Sequence, residues 1–287
     1  MSRSVPDLAL DDLAAVPAAS VWTIRDGVRL HALDYGGDGT PLLVLPGITS
    51  PAVTWDFVVR PLVGPFRPVV LDLRGRGLSG LGDGYDLTDY AADAEAVVAQ
   101  LGLEGVVVLG HSLGARIGAV LATRGVVSPA ASILVDPPLS GPDRGPYPTS
   151  REAFGQQLDE GHAGTTADQV RRFYPKWPDA ELALRARWLP TCDPDAVLAT
   201  YDDFVVDDFL IPWAAVPGSA TVIRGADSPV VTAEGADDLV AARAATTDVP
   251  AIPGAGHMVP WDAYDAFMEA LQVALQPHAS TQSSTRS

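Results

Sequence analysis

Gly110-His111-Ser112-Leu113-Gly114 stands directly after the apolar run VVVL and directly before ARIGAVLA. Glycines on both sides of a serine let the backbone turn sharply from strand to helix. That turn holds the hydroxyl out at the strand end, with a helix amino terminus behind it. A hydroxyl becomes a useful nucleophile only when a base takes its proton, and imidazole suits that task near neutral pH. The chain has five histidines: His31, His111, His162, His257 and His278. His111 lies inside the turn, whose geometry points it away from the serine. His31 falls in an early hairpin pattern, His162 in a long stretch without strand pattern, and His278 in a polar end. His257, in PGAGHMVPWD, follows the last apolar run and precedes the last helical pattern, which makes it the candidate base. The base in turn needs a carboxylate to stabilise its charged form. Two aspartates end apolar runs: Asp136 in LVDPPLSGP and Asp227 in IRGADSPVV. Prolines 137 and 138 stiffen the chain beyond Asp136 and would hold its carboxylate in a fixed direction. The residue types alone leave both aspartates open.

These groups need a scaffold, and the apolar patterning describes one. VWTIRD, VRLHALDYG, PLLVLPG, RPVVLDLRG, GVVVLGHS, ASILVDPP, ATVIRGAD and TTDVPAIPG alternate with helical stretches such as DLTDYAADAEAVVAQLGL. The middle runs are near-continuous Val, Leu and Ile, as expected of parallel strands buried on both faces. The alternation predicts an α/β fold with an eight-stranded, mostly parallel sheet, opened by an antiparallel hairpin. It breaks between residues 138 and 217, where the composition is helical and rich in Pro, Arg, Asp, Trp and Tyr. A structureless loop of that length is improbable, so a helical cap over the carboxyl ends of the strands is expected. The expected organisation is an N-terminal segment 1–19, a core of 20–137 and 218–276, the cap 138–217, and a disordered polar tail 277–287.

Bulk properties narrow the function. The 287 residues carry a formal net charge of −17, which argues against nucleic acid or an anionic membrane as partner. One cysteine, Cys192, excludes an internal disulfide and is read as packing. Acids and prolines fill the first twenty residues where a secretion signal needs basic and then apolar ones. No apolar run is long enough to span a bilayer. A cytoplasmic protein is expected, with no metal site at ligand spacing and no cofactor.

With LPGITSP after the third strand, DLRGRGLS after the fourth and the serine turn after the fifth, residues 20–275 resemble the α/β-hydrolase fold family. The resemblance implies Ser112 as nucleophile, His257 as base, and an oxyanion hole made by the backbone N–H groups of Leu113 and, by position, Ile48. Arg74, Arg76 and Ser79 of DLRGRGLS read as turn-stabilising. Most members place the acid after the seventh strand as Gly-x-x-Asp, but here Ser228 holds that position and Asp227 lies one residue early. PGITSPAVTW, GHSLGAR, DPPLSGP, LALRARWLPTC, DDF and GAGHMVPWD together resemble a smaller group, the N-formylmaleamate deformylases of nicotinate degradation. The (E)-2-(acetamidomethylene)succinate hydrolases are similar around the turn. That group places its acid after the sixth strand, which implies Asp136, with Asp227 as the alternative.

The implied activity is a metal-independent serine amidohydrolase cleaving an N-formyl, enamide-type C–N bond in a small anionic substrate. Thr49, Ser50, Arg185, Arg187, Trp188 and Tyr201 are the expected substrate contacts, with Arg116, Arg171, Arg172 and Lys176 as further cations and Trp213 as a further wall. Arg185 and Arg187 are two apart on one helix, so at most one of them faces a pocket. A carboxylesterase or lactonase, or an acylaminomethylene-succinate-type hydrolase, would use the same triad, and a non-catalytic binding protein of this fold would not need it. The oligomeric state is left open.

Overall fold

The computed structural model of the chain describes residues 7–246 and 249–280. Eight strands form one sheet: β1 Ala19–Arg25, β2 Val28–Asp34, β3 Thr40–Leu45, β4 Phe66–Asp72, β5 Val107–His111, β6 Ala131–Val135, β7 Ser219–Gly225 and β8 Ala251–Ile252. Their order across the sheet is β1-β2-β4-β3-β5-β6-β7-β8. The β1–β2 and β2–β4 pairs are antiparallel and every other pair is parallel. The α-helices are α1 Asp7–Ala15, α2 Asp56–Val59, α3 Leu87–Gln100, α4 Leu113–Thr123, α5 Arg151–His162, α6 Ala167–Arg171, α7 Asp179–Trp188, α8 Pro194–Asp202, α9 Leu210–Ala215, α10 Ala233–Ala242, α11 Val259–Asp262 and α12 Tyr264–Leu275.

Period-two patterning divides the central strands between two cores. Leu43, Leu45, Val69, Leu71, Val108 and Leu134 face one way and pack with Tyr90 and Val97 of α3, Ile117 of α4, Trp213 of α9 and Leu239 of α10. Leu42, Val44, Val70, Leu109, Ile133 and Val135 face the other and pack with Phe267 and Leu271 of α12 and Trp188 of α7. Each such aliphatic side chain, fully removed from water, contributes about 1.5–3 kcal/mol. Local signals start the helices. Asp86 accepts from the N–H of Asp89 at the start of α3, and Asp193 caps α8 with Pro194 in its first turn.

Between β6 and β7 the described chain runs through α5 to α9 and adds no strand to the sheet. Every site residue proposed from the sequence outside that segment sits at the carboxyl end of a parallel strand or in the loop that follows it. Two expectations need correction. The last strand is shorter than TTDVPAIPG, because Pro250 and Pro253 bracket the two paired residues and offer no N–H to a ladder. Thr247 and Asp248 lie outside the described residues. The first part of the expected tail is also ordered: Gln276–His278 forms a 3-10 turn, and Ser280 donates through both N and Oγ to the carbonyl of Pro65. Residues 281–287 lie outside the described residues.

Candidate active site

Ser112 is held with φ +54° and ψ −119°, a conformation an L-residue adopts only when its surroundings enforce it. The enforcement is close packing. A Cβ on Gly110 would lie 2.2 Å from the carbonyl oxygen of Gly114, and one on Gly114 would lie 1.8 Å from that of Leu45. The Ser112 N–H donates to the carbonyl of Val135, which ties the turn to β6. At the end of β6, Asp136 is likewise left-handed, with φ +47°, and its N–H donates to Ile223 of β7.

Three side chains meet across these strand ends. His257 Nε2 lies 2.9 Å from Ser112 Oγ, and His257 Nδ1 lies 2.7 Å from Asp136 Oδ2. A carboxylate only accepts, so Nδ1 carries the proton and Nε2 is free to take that of the serine. Asp136 is fully buried and accepts two further hydrogen bonds, from the Gly225 N–H at 3.1 Å and from the Ser228 hydroxyl at 2.5 Å. Asp227 is exposed at the cavity rim; its N–H donates to Ala255, and no hydrogen bond joins it to His257 among the described residues. Ser228 thus bonds to the aspartate of the neighbouring strand.

Neither the Ile48 nor the Leu113 N–H donates to a protein acceptor among the described residues, and both residues stand beside Ser112. Such a pair of free donors can receive a developing oxyanion. Ile48 and Ser112 line a cavity of about 390 Å³, a volume suited to a small molecule. Thr49, Ser50, Tyr147, Gln157, Lys176 and Asp262 contribute polar groups to its wall, and Phe154, Phe173 and Tyr174 contribute apolar ones.

The expected substrate contacts divide. Thr49 and Ser50 line the cavity. Arg185 lies just behind the wall, buried, with Nη2 3.2 Å from Thr49 Oγ1 and 3.4 Å from Gln157 Oε1. Its guanidinium also sits 4.8 Å above the Tyr174 ring. Arg187 and Trp188 need correction: both bond to Asp12 of α1, which draws them to the far side of α7. Tyr201 packs on Tyr147 and Phe154, one layer behind the wall. Trp213 donates to Leu239 in the core. Arg171 and Arg172 pair with Asp179 and Glu160 at the surface. Arg116 is a clamp rather than a ligand: it donates to the carbonyls of Ser140, Phe204 and Asp207, and burial pushes its pKa down to about 10 against the pull of Asp207, Asp208 and Asp203. Lys176 does line the cavity, and it bonds to Gly254 of the histidine loop.

His111 lies beneath the histidine loop, where Nε2 lies 2.9 Å from the His257 carbonyl and so carries its proton. Burial, with His257 close by, pushes its pKa down to about 3 despite that bond. Asp262 braces the same loop by accepting from the Gly256 N–H at 2.9 Å. Burial raises the Asp262 carboxyl, while the Gly256 N–H and Lys176 act the other way. The Tyr147 hydroxyl faces Ser112. Burial, with Tyr174 and Asp136 near, raises it above its ordinary range, and its hydrogen bond with Ser112 opposes that. Tyr147, Gln157 and Asp262 escaped the sequence reading, as did the bond from Ser228 to Asp136. Tyr147 and Gln157 come from the segment without strand pattern, and Asp262 is one acid among many.

Serine, base, buried acid and two free N–H donors at the strand ends define the class. The family model described as the alpha/beta hydrolase family matches residues 42–270, and the chain belongs to that family of hydrolases. It is 40% identical over 249 residues to an N-formylmaleamate deformylase of Pseudomonas putida, covering 85% of this chain and 92% of that one. A crystal structure of an N-formylmaleamic acid deformylase from Pseudomonas putida S16 superposes with a TM-score of 0.81 at 38% identity, over 88% of this chain and all of the other. A 2-(acetamidomethylene)succinate hydrolase of Mesorhizobium japonicum is 27% identical over 239 residues, 78% of this chain and 83% of that one. No helix among the described residues is long and apolar enough to cross a membrane.

Proposed function

We propose that this hydrolase cleaves the N-formyl C–N bond of N-formylmaleamate, giving maleamate and formate. The observation that supports this most is the 40% identity to a deformylase over 85% of the chain, because that span includes the segment covering the site. Ser112 Oγ attacks the formyl carbon as its proton passes to His257 Nε2, and Asp136 stabilises the resulting imidazolium. The oxyanion is received by the Ile48 and Leu113 N–H groups. His257 then gives its proton to the nitrogen, the C–N bond breaks and maleamate departs. The nitrogen carries a second carbonyl in this substrate, so the bond is that of an imide rather than an enamide. Its leaving group is a primary amide, easier to expel than an amine. Water attacks the formyl ester on Ser112, delivers a proton to His257, and formate leaves as the serine is reprotonated.

The substrate carboxylate is served by Lys176 on the wall and by the buried Arg185, whose charge acts across Thr49 and Gln157. An esterase or lactonase reading draws on a different feature: Asp227 and Asp262 also face the cavity beside that one lysine. Formate release from N-formylmaleamate, run beside hydrolysis of p-nitrophenyl esters, separates the two. The expected result is a kcat/KM at least about 100-fold higher for the formyl imide, abolished in Ser112→Ala. Faster ester turnover with no formate above the Ser112→Ala background would replace the deformylase by the esterase.

A further inference from the structure

The turn after β4, DLRGRGLS, divides into residues that hold the turn and one that leaves it. Arg74 closes onto Asp93 with Nε 2.7 Å from Oδ2 and Nη2 2.7 Å from Oδ1. Ser79 Oγ donates to the Asp72 carbonyl, and Asp72 accepts from the N–H groups of Ala52 and Leu78 and bonds to His31. Arg76 has no solvent exposure, and the structure gives it no carboxylate partner among the described residues. Its Nε donates to the Ile48 carbonyl at 2.9 Å. Nη1 donates to the Tyr90 hydroxyl at 2.7 Å and the Arg74 carbonyl at 2.9 Å. Nη2 reaches α8, at 3.0 Å from Thr200 Oγ1 and 3.4 Å from the Ala196 carbonyl.

The bond to Ile48 falls at a soft point. Gly47 to Ser50 form a turn closed by the Ser50 N–H donating to the Gly47 carbonyl at 3.1 Å. In a turn of this kind the central peptide, here Ile48–Thr49, can rotate while the closing bond survives, a full flip placing Thr49 at positive φ. Arg76 holds the carbonyl of that peptide on the buried side, away from Ser112. The next carbonyl, that of Thr49, is taken by Arg185 Nη1 at 3.3 Å. A flip would turn the Ile48 carbonyl dipole from the guanidinium toward the face where an oxyanion forms, and negative potential there opposes the reaction.

We propose that Arg76 is the positioning residue of the oxyanion loop, holding the Ile48 carbonyl on the buried side so that its dipole does not face the oxyanion received by the Ile48 N–H. Through Thr200 and Ala196 the same guanidinium makes that orientation depend on the seating of α8. The inference rests on the serine-hydrolase reading of Ser112 and Ile48 given above. Arg76 touches neither the cavity nor the reacting atoms, so it acts in kcat and not in substrate binding.

The test compares Arg76→Met, Arg76→Lys and Thr200→Val with the unaltered enzyme, measuring kcat and KM for formate release and the rate of covalent labelling of Ser112 by a fluorophosphonate. Phosphonylation builds negative oxygen in the same hole, so both readouts respond together. Loss of one oxyanion donor costs about 100- to 1000-fold, and an opposing carbonyl dipole part of that, so Arg76→Met is expected to lose about 10- to 100-fold in kcat and in labelling rate. KM should stay within about threefold, Arg76→Lys should recover part of the loss through its remaining donor, and Thr200→Val should lose about threefold. An unchanged kcat in folded Arg76→Met, or a change confined to KM, overturns the proposal. Should Arg76→Met fail to fold, unchanged kcat in both Arg76→Lys and Thr200→Val overturns it. An unaltered enzyme that labels at Ser112 but releases no formate refutes the deformylase reading alone, and the labelling rates still decide the role of Arg76.

Discussion

The ends of β6 and β7 lie side by side and carry the two aspartates that competed for one role. Asp136, at the end of β6, is fully buried and meets His257 Nδ1 at 2.7 Å, whereas Asp227, after β7, is exposed at the cavity rim. The difference is one of support as much as of distance. Asp136 accepts from the Gly225 N–H and the Ser228 hydroxyl, so the end of β7 holds the carboxylate of β6 in place. A buried carboxylate needs hydrogen-bond donors in place of water, and here a neighbouring strand end supplies them.

Returning the acid to β7 breaks the comparison most strongly. In an Asp136→Ala background, Ser228→Asp places a carboxylate where the Ser228 hydroxyl now approaches Asp136 Oδ2. Formate release should recover about 10- to 100-fold over Asp136→Ala alone; no recovery would mean that the β7 position no longer addresses the histidine. A smaller effect sharpens it. Ser228→Ala removes one hydrogen bond to a charged group, expected to lower kcat about three- to tenfold with little change in KM. The smallest effect is on stability, and it comes from His111 at the end of β5, beneath the loop that hangs between the other two strand ends. Its folded pKa of about 3 lies below the ordinary 6.5. Between those values the unfolded chain binds the extra proton, so stability present above pH 6.5 is lost as pH falls. His111→Asn should shrink the drop in Tm between pH 7 and pH 5 by roughly 3–6 °C, read from thermal melts at both values. An unchanged pH slope would show that His111 is not the group responsible.

The scaffold was legible because its signals are local. Runs of Val, Leu and Ile, glycines at close approaches and a single histidine between the last strand and last helix place Ser112 and His257 without tertiary knowledge. Choosing Asp136 over Asp227 was different. The register of Asp227 raised the question, but only a resemblance to a small group of hydrolases answered it before the two strand ends could be seen together. The segment between β6 and β7 was legible as helical and little further. Arg185 and Arg187 are equivalent as sequence, yet Asp12 of α1 captures the second and leaves the first behind the cavity wall. Ion pairs between elements far apart in the chain leave no periodic trace. The partner of His111 left no sequence signal for a related reason, since it is a backbone carbonyl that any residue could have provided.

The most direct test of the account is the kcat for formate release from N-formylmaleamate, measured side by side for Asp136→Ala and Asp227→Ala. Loss of the acid behind a catalytic histidine costs about 1000- to 10,000-fold, and Asp136→Ala should show a loss of that size. Asp227→Ala should stay within about twofold of the unaltered enzyme, because its carboxylate supports no member of the relay. Loss in Asp227→Ala with activity retained in Asp136→Ala would contradict the account and return the acid to β7.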